Sequence, residues 1–377
     1  MSSWYYKPIY LDDIYRSLWC KTYIFNLNRK TFFLIRFGNN SDKVKRLERT
    51  DLKLLQGLSL DLKIARTERR IREWIYYNGL ENVYLSFSGG KDSTVLLHIL
   101  RNRMNIDILP VFSNTRNENI SIINHIKKVE GVEWITPKMF LKEIIIKYGY
   151  PVVSKDISSK IYKLRNQNLT DEYRNYLLNG DERGNFGTIP KKWQYLINAD
   201  FNISNFCCEK LKKVAFKEFE KKTGRVPITG EIAEESRDRT ESYLKYGCNA
   251  FARKQGLKST PLGFWTNNDI LQYIVENDVD IADCYGDIVI DYYETKGGKK
   301  RAVYKTTKEA RTGCVACCYG VQYEEAHNNR FTRLRKENRR YYDYIMGGGE
   351  YNDKGIWIPN NEGLGFNHVL NYMGISH

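Results

Sequence analysis

From Leu60 the chain reads LDLKIARTERRIREWIYYNG, and Leu60, Ile64, Ile71 and Ile75 recur at helical spacing on one face. Gly79 is the predicted stop of that helix. Short apolar runs then alternate with helical patterns. Strand VYLSF is followed by helix DSTVLLHILRN, strand DILPVFSN, helix NISIINHIKKV and strand VEWIT. A further strand, RVPIT, precedes Gly230. This alternation predicts an α/β fold, a doubly wound parallel sheet with helices on its faces. Residues 155–205 are polar, contain Gly184 and Gly187, and read as a helical insertion. Residues 1–55 are rich in aromatic and basic side chains and read as an accessory segment. The predicted divisions are therefore 1–55, an α/β domain over 56–275 with its insertion, and a cysteine-rich part over 276–377 packed on that domain. No repeat or low-complexity tract interrupts them.

Composition adds three constraints. A hydrophobic content of 42% over 377 residues is enough for a sizeable core. No run of about 18 apolar residues is present, so no membrane span is expected. The first residues lack a charged stretch followed by an apolar one, so a cytoplasmic location is the expectation. The formal net charge of +15 suits a polyanionic partner such as nucleic acid. It equally suits a lysine-rich solvated surface or a pocket for anionic nucleotides. Eight cysteines stand at 20, 207, 208, 248, 284, 314, 317 and 318. In a reducing compartment their clustering points to metal or redox chemistry before disulfides. Cys20 alone cannot build a zinc ribbon, which needs four ligands.

The stretch VYLSFSGGKDSTVLL is where chemistry first enters. A strand that feeds a helix through small residues leaves backbone N–H groups pointing into the turn, and these with the helix N-terminus form an anion site. Gly89 and Gly90 allow close approach of a phosphate, Lys91 adds a point charge, and Ser88 and Ser93 add hydroxyls. The spacing is not the Walker pattern, because the glycines directly precede the lysine.

Ser-Gly-Gly-Lys-Asp-Ser resembles the PP-loop of the N-type ATP pyrophosphatases. Further stretches narrow the resemblance to the phosphoadenosine-phosphosulfate (PAPS) reductase-like proteins. VFSNTRNENI is similar to their second strand-turn at Thr115 and Glu118, although Arg116 replaces a glycine. ITGEIAEESRDR matches the strand-end motif at Gly230, Glu235, Ser236 and Arg239. STPLGFWTNNDILQYI, NFCCEKLK and RTGCVACCYG complete the series, in order, over roughly Leu60–His377. The DNA-phosphorothioation sulfurtransferases are relatives within this resemblance.

The resemblance implies adenine-nucleotide binding by Ser88, Gly89, Gly90, Lys91, Asp92, Ser93, Thr115, Glu118, Gly230, Glu235, Ser236 and Arg239, with Mg2+ on the phosphates. Lys91, Asp92 and Arg239 are the implied catalytic set. Physically, Arg239 can fork onto phosphate oxygens or pair with Glu235. Glu118 can orient a ribose or a nucleophile, or stand solvated at a helix start. Trp265 and Leu262 suit core or pocket wall.

Cys207-Cys208 and Cys314-x-x-Cys317 are two short thiol pairs that can close one tetrahedral site. The resemblance implies a [4Fe-4S] cluster there. Zinc and packed free thiols remain open on chemistry alone. Cys318 reads as a substitute ligand, a persulfide carrier or a packed cysteine, and Cys248 and Cys284 as core.

The pattern also departs from sulfite-releasing reductases. No cysteine follows Cys318, and Ile232 stands where such enzymes carry a sulfate-binding arginine. Asn328–Met346, NNRFTRLRKENRRYYDYIM, reads as one basic, aromatic-laced helix able to track a nucleic-acid backbone or to lie solvated. The expected function is cleavage of ATP at the α-phosphate with release of pyrophosphate, coupled to iron–sulfur-dependent sulfur transfer, with nucleic acid as one acceptor class. A cysteine desulfurase-like protein is the expected sulfur donor. The alternatives are a PAPS or adenylylsulfate reductase, and a nonenzymatic nucleotide-sensing or nucleic-acid-binding protein.

Overall fold

The structure is a computed structural model that describes residues 22–27, 30–35, 46–184, 187–252, 256–294, 298 and 300–377. The chain divides into two units, Met1–Arg46 and Leu47–His377. In the first, strands Thr22–Leu27 and Lys30–Ile35 pair as an antiparallel hairpin. Cys20 lies outside the described residues.

In the larger unit a short helix, Arg49–Gln56, precedes α1 (Leu60–Asn78), which ends at Gly79 as its sequence predicts. Its buried face carries Leu60, Ile64, Ile71 and Trp74, with Ile75 only partly covered. Lys63 and Thr67 are buried on that same face. The Lys63 ammonium contacts Asp269 Oδ2 at 2.5 Å and the Gln56 carbonyl at 2.7 Å. Trp265 Nε1 donates to Thr67 Oγ1 at 2.9 Å. Leu262 and Trp265 are thus core residues, fully buried.

The predicted strands follow: β1 (Val83–Ser86), then α2 (Lys91–His98), β2 (Leu109–Ser113), α3 (Ile120–Lys128) and β3 (Glu133–Ile135). The insertion holds α4 (Lys155–Asn166), α5 (Asp171–Asn179) and a 3-10 segment, Lys191–Asn198. The sheet resumes after α6 (Val214–Thr223) with β4 (Val226–Thr229), α7 (Arg237–Tyr246), β5 (Asn249–Ala250) and β6 (Lys258–Ser259), and α8 (Asn267–Glu276) closes it. The strand order is β3-β2-β1-β4-β6-β5. All pairs are parallel except the β5–β6 edge. The order therefore reverses between β1 and β4, which is where open α/β sheets hold ligands.

A second core lies outside the sheet. It joins residues of the insertion to C-terminal side chains such as Phe331, Ile345, Phe366 and Leu370. Cys318 and Tyr319 pair in parallel with Val152 and Val153, so the C-terminal part is stitched to the chain just ahead of the insertion. The basic segment is two helices, α9 (Arg330–Glu337) and α10 (Arg339–Met346), not one. Asn338, at φ −147° and ψ 78°, breaks the helix and caps α10 by accepting from Tyr341 N–H. No described helix is long and apolar enough to cross a membrane.

The Lys63–Asp269 pair sets a stability test. Asp269→Ala strands a buried ammonium and removes the capping box with Thr266. Loss of one partner of a buried pair costs about 3–5 kcal/mol. Denaturant unfolding should show that loss; a change below roughly 1 kcal/mol would show that the pair is not needed.

Candidate functional site

Two turns meet at the point where the strand order reverses. After β1 the chain turns through Ser88–Gly90 into α2. Gly89 sits at φ +70°, and a Cβ there would come within 2.6 Å of Ile126 Cγ1. After β4, a Cβ on Gly230 would lie 2.8 Å from the Asp92 carbonyl oxygen. Both positions therefore need glycine, one for conformation and contact, the other for backbone approach.

The loop is internally braced. Ser88 Oγ lies 3.1 Å from Ser93 Oγ and accepts the Gly90 N–H at 3.3 Å. Ser93 Oγ donates to the Gly90 carbonyl at 2.9 Å. Lys91 is buried, and its ammonium contacts Asp92 Oδ1 at 3.0 Å.

These groups floor a cavity of about 310 Å³. Its lining takes Ser88, Gly90, Lys91, Asp92 and Ser93 from the loop, Gly230, Glu235 and Arg239 from the chain after β4, and Glu118 and Lys212. Phe112 and Phe216 supply an apolar wall, and Tyr285, Arg311 and Thr312 cover the loop. Three expected residues stand behind this surface. Gly89 packs toward Ile122 and Ile126. Thr115 is buried and donates to Glu118 Oε1 at 2.6 Å. Ser236 caps α7 by accepting the Arg239 N–H at 3.3 Å.

Arg239 lines the cavity and pairs with Glu235. Arg311 reaches the same carboxylate at 2.9 Å. Burial and the neighbouring Arg311 hold the Arg239 guanidinium below its usual range, against Glu231 and Asp92. Two cations on one carboxylate leave this wall suited to an anion.

The cysteine segment runs across the ends of three central strands. Arg311 donates to the Glu235 carbonyl beyond β4 at 3.1 Å. Thr312 Oγ1 lies 2.9 Å from Tyr285 Oη, which accepts the Lys91 N–H beyond β1 at 3.0 Å. Cys314 bridges to Glu118 beyond β2, and Val315 N–H donates to the Asn117 carbonyl at 2.8 Å.

Cys207, Cys208, Cys314 and Cys317 converge beside this segment, each acting electrostatically on the others. The hydrogen bond between the adjacent thiols pushes Cys207 up and pulls Cys208 down. Lys155 and Lys212 also favour a Cys208 thiolate. The Lys212 ammonium is held up chiefly by Cys314, with Glu118, Cys208 and Cys317 adding to it against burial. Among the described residues no group of three or more His, Cys, Asp or Glu is arranged to hold a metal ion. The donor chemistry still fits a soft thiolate-bound group: four thiols, with two ammonium groups to balance their charge.

The other cysteines among the described residues are packed. Cys318 is fully buried, and burial raises Cys248, Cys284 and Cys318. Ile232 is core. His368 pairs with Asp200 at 2.9 Å and His377 with Asn367 at 2.6 Å. On α10, Tyr341 donates to the Arg116 carbonyl at 3.0 Å, while Arg335, Lys336, Arg339 and Arg340 are exposed.

Lys212, Tyr285, Arg311 and Thr312 are cavity residues that motif reading does not single out. Lys212 follows Cys208 by four residues, one helical turn, and Arg311 and Thr312 directly precede Gly313 and Cys314. Those spacings are signals. Tyr285 has none.

No family model matches the sequence, and no curated protein matches it. Among solved structures, phosphoadenylyl-sulfate (PAPS) reductase from Candida auris, in complex with phosphate, is similar to this chain. The TM-score is 0.34 and the identity 15%, over 63% of this chain and 90% of that one.

Thiol labelling tests the cysteine geometry. In chelator-treated protein at neutral pH, iodoacetamide should modify the partly exposed Cys208 well before Cys248, Cys284 and Cys318. Lys155→Ala should slow Cys208. Peptide mass spectrometry that finds Cys318 labelled as fast would refute this placement.

Proposed function

We propose that this chain is a PP-loop enzyme that binds ATP, cleaves it at the α-phosphate and releases pyrophosphate, in support of sulfur transfer to an acceptor. The reading belongs to the PAPS reductase-like resemblance carried by Ser88–Ser93, Gly230 and Arg239. The observation that most supports it is one cavity lined by the Ser88–Ser93 loop, Arg239, Glu118 and Lys212, with Lys212 also under the electrostatic influence of Cys314, Cys208 and Cys317. Nucleic acid is the acceptor class that the net charge of +15 and the exposed cations of α9 and α10 favour.

In this mechanism an acceptor oxygen attacks the α-phosphorus. The bond to the β-phosphate breaks and pyrophosphate leaves. Lys91 and the amides at the start of α2 stabilise the charge that develops on it. Arg239 and Arg311 hold non-bridging oxygens. Asp92 and Glu118 are the lining carboxylates that would hold Mg2+, which would supply charge neutralisation on the phosphates. A dithiol reductant would release the persulfide sulfur of a desulfurase-like donor as sulfide, which would attack the activated acceptor atom; the bond from that atom to the AMP oxygen would break and AMP would leave. Cys207, Cys208, Cys314 and Cys317 would hold a [4Fe-4S] cluster, which supplies sulfur-binding or structural chemistry beside Lys212.

The reductase alternative needs a free thiolate that reaches a sulfonyl sulfur. The thiols outside the converging four are buried among the described residues, which weighs against it.

Lys91→Ala tests the loop. A charge-assisted phosphate contact is worth roughly 1.5–3 kcal/mol, so ATP affinity or pyrophosphate release should fall about 10- to 100-fold. Unchanged values would remove the loop from the mechanism. Thioredoxin-dependent sulfite from PAPS, in place of pyrophosphate from ATP, would support the reductase. Nucleotide binding without any turnover would leave a sensor.

Iron analysis tests the cluster. Anaerobic preparations should be brown, with about four irons per chain. Stoichiometric zinc without iron would rule the cluster out.

A further inference from the structure

The loop's amides are not all open to a ligand. Lys91 N–H, the first of α2, already donates to Tyr285 Oη at 3.0 Å. The same phenol oxygen shares a hydrogen bond with Thr312 Oγ1 at 2.9 Å, in which either hydroxyl can donate. The phenol is 1% exposed, and burial raises its pKa, so it stays neutral. Both oxygens close tightly over the loop: a Cβ on Gly90 would meet each of them at 3.3 Å.

Each end of this pair is anchored. Tyr285 sits on a short 3-10 turn whose neighbour Cys284 donates its N–H to Ser121 Oγ at 3.1 Å. The Tyr285 carbonyl accepts the Lys308 N–H at 3.1 Å. Thr312 lies two residues before Cys314, in a segment otherwise held by Glu235, Glu118 and Asn117. Thr312 is the contact that ties the segment to the phosphate loop itself.

We infer that Tyr285 and Thr312 are positioning residues, a two-hydroxyl link through which a pyrophosphate-type anion on the loop changes the hold on the cysteine segment 311–318. The inference rests on the proposed reading of the loop as a pyrophosphate site. An anion that takes the Lys91 N–H withdraws it from Tyr285. The phenol then turns its proton toward the anion, and Thr312 loses its partner. The side chains of Arg311 and Asn117 keep the segment in place, but its local opening becomes easier. In the reverse direction, a segment held firmly through Thr312 keeps the amide engaged and opposes the anion. The coupling is reciprocal by linkage.

Hydrogen exchange on the full chain, with inorganic pyrophosphate alone as the probe, tests this. In the wild type, saturating pyrophosphate should speed exchange of the amides of residues 312–318 roughly threefold or more. In Thr312→Val, which is near-isosteric but lacks the hydroxyl, exchange should already be fast without ligand, and pyrophosphate should add nothing. Tyr285→Phe should behave the same way. Thr312→Ser should restore the wild-type response, which a purely structural role for the methyl group would not. Calorimetry in parallel separates the two layers. Pyrophosphate that binds without altering exchange, or a wild-type response in Thr312→Val, overturns the link and leaves the loop reading intact. An absence of pyrophosphate binding overturns both.

Discussion

The site depends on the backbone contact between Gly230 and the first turn of α2. Strands β1 and β4 are neighbours in register, from Val83 opposite Val226 to Ser86 opposite Thr229. Their following turns must diverge, because the strand order reverses there. Gly230 lets the β4 turn pass 2.8 Å, as measured to a hypothetical Cβ, from the Asp92 carbonyl. Any side chain would push that turn outward. Arg239 and Glu235 would then move away from Lys91, and the cavity would lose its anion-facing wall. A missing Cβ thus sets the distance between two clusters of charge.

The thiols are brought to that cavity by a different force. Cys207 ends the insertion, while Cys314 and Cys317 lie more than a hundred residues later. What joins them is the second hydrophobic core, shared by the insertion and the C-terminal part. The parallel pairing of Cys318 with Val152, just ahead of the insertion, locks the register between these two regions. Cys318 is therefore best understood as a core residue that aims its neighbour Cys317. Burial of four thiols raises the cost of ionising them, and Lys155 and Lys212 offset that cost locally. Lys212 also lines the cavity, so one ammonium faces both the thiols and the space beside the Ser88–Ser93 loop.

Much of this was legible in the sequence, and the parts that were not share a cause. Period-two and period-3.6 patterns located β1, β2, β4, the edge strand β3 and the helices between them; the three inner strands read as short apolar runs because a parallel strand is covered on both faces. The glycines of the loop were legible because few other residues can occupy such turns. The break at Asn338 was not, because RLRKENRRYY keeps helix-forming residues on both sides of it. Only the second cap, Asn338 onto Tyr341, shows that two helices meet there. Trp74 in place of Ile75 on the buried face of α1 likewise reflects tertiary packing: both residues fit the periodicity within one position. Tyr285 was invisible because its role needs a hydroxyl at one point in space, reached from a separate turn.

That invisibility follows from how the cavity is assembled. Its floor comes from consecutive residues, so it leaves a contiguous motif. Its cover comes from the two ends of an excursion, the antiparallel hairpin of Ile288–Glu294 and Lys300–Thr306. Tyr285 precedes the hairpin and Arg311 and Thr312 follow it, so the hairpin's pairing register decides how these residues meet above Lys91. The hairpin's inner edge is fixed by Asn268 of α8, which accepts the Tyr304 N–H at 2.9 Å. The same helix carries Asp269, the partner of buried Lys63. One helix therefore ties the cover of the Ser88–Ser93 loop to the buried Lys63–Asp269 pair. The geometry of the cover is inherited from the stability of the core, and a motif search along the chain cannot register that dependence.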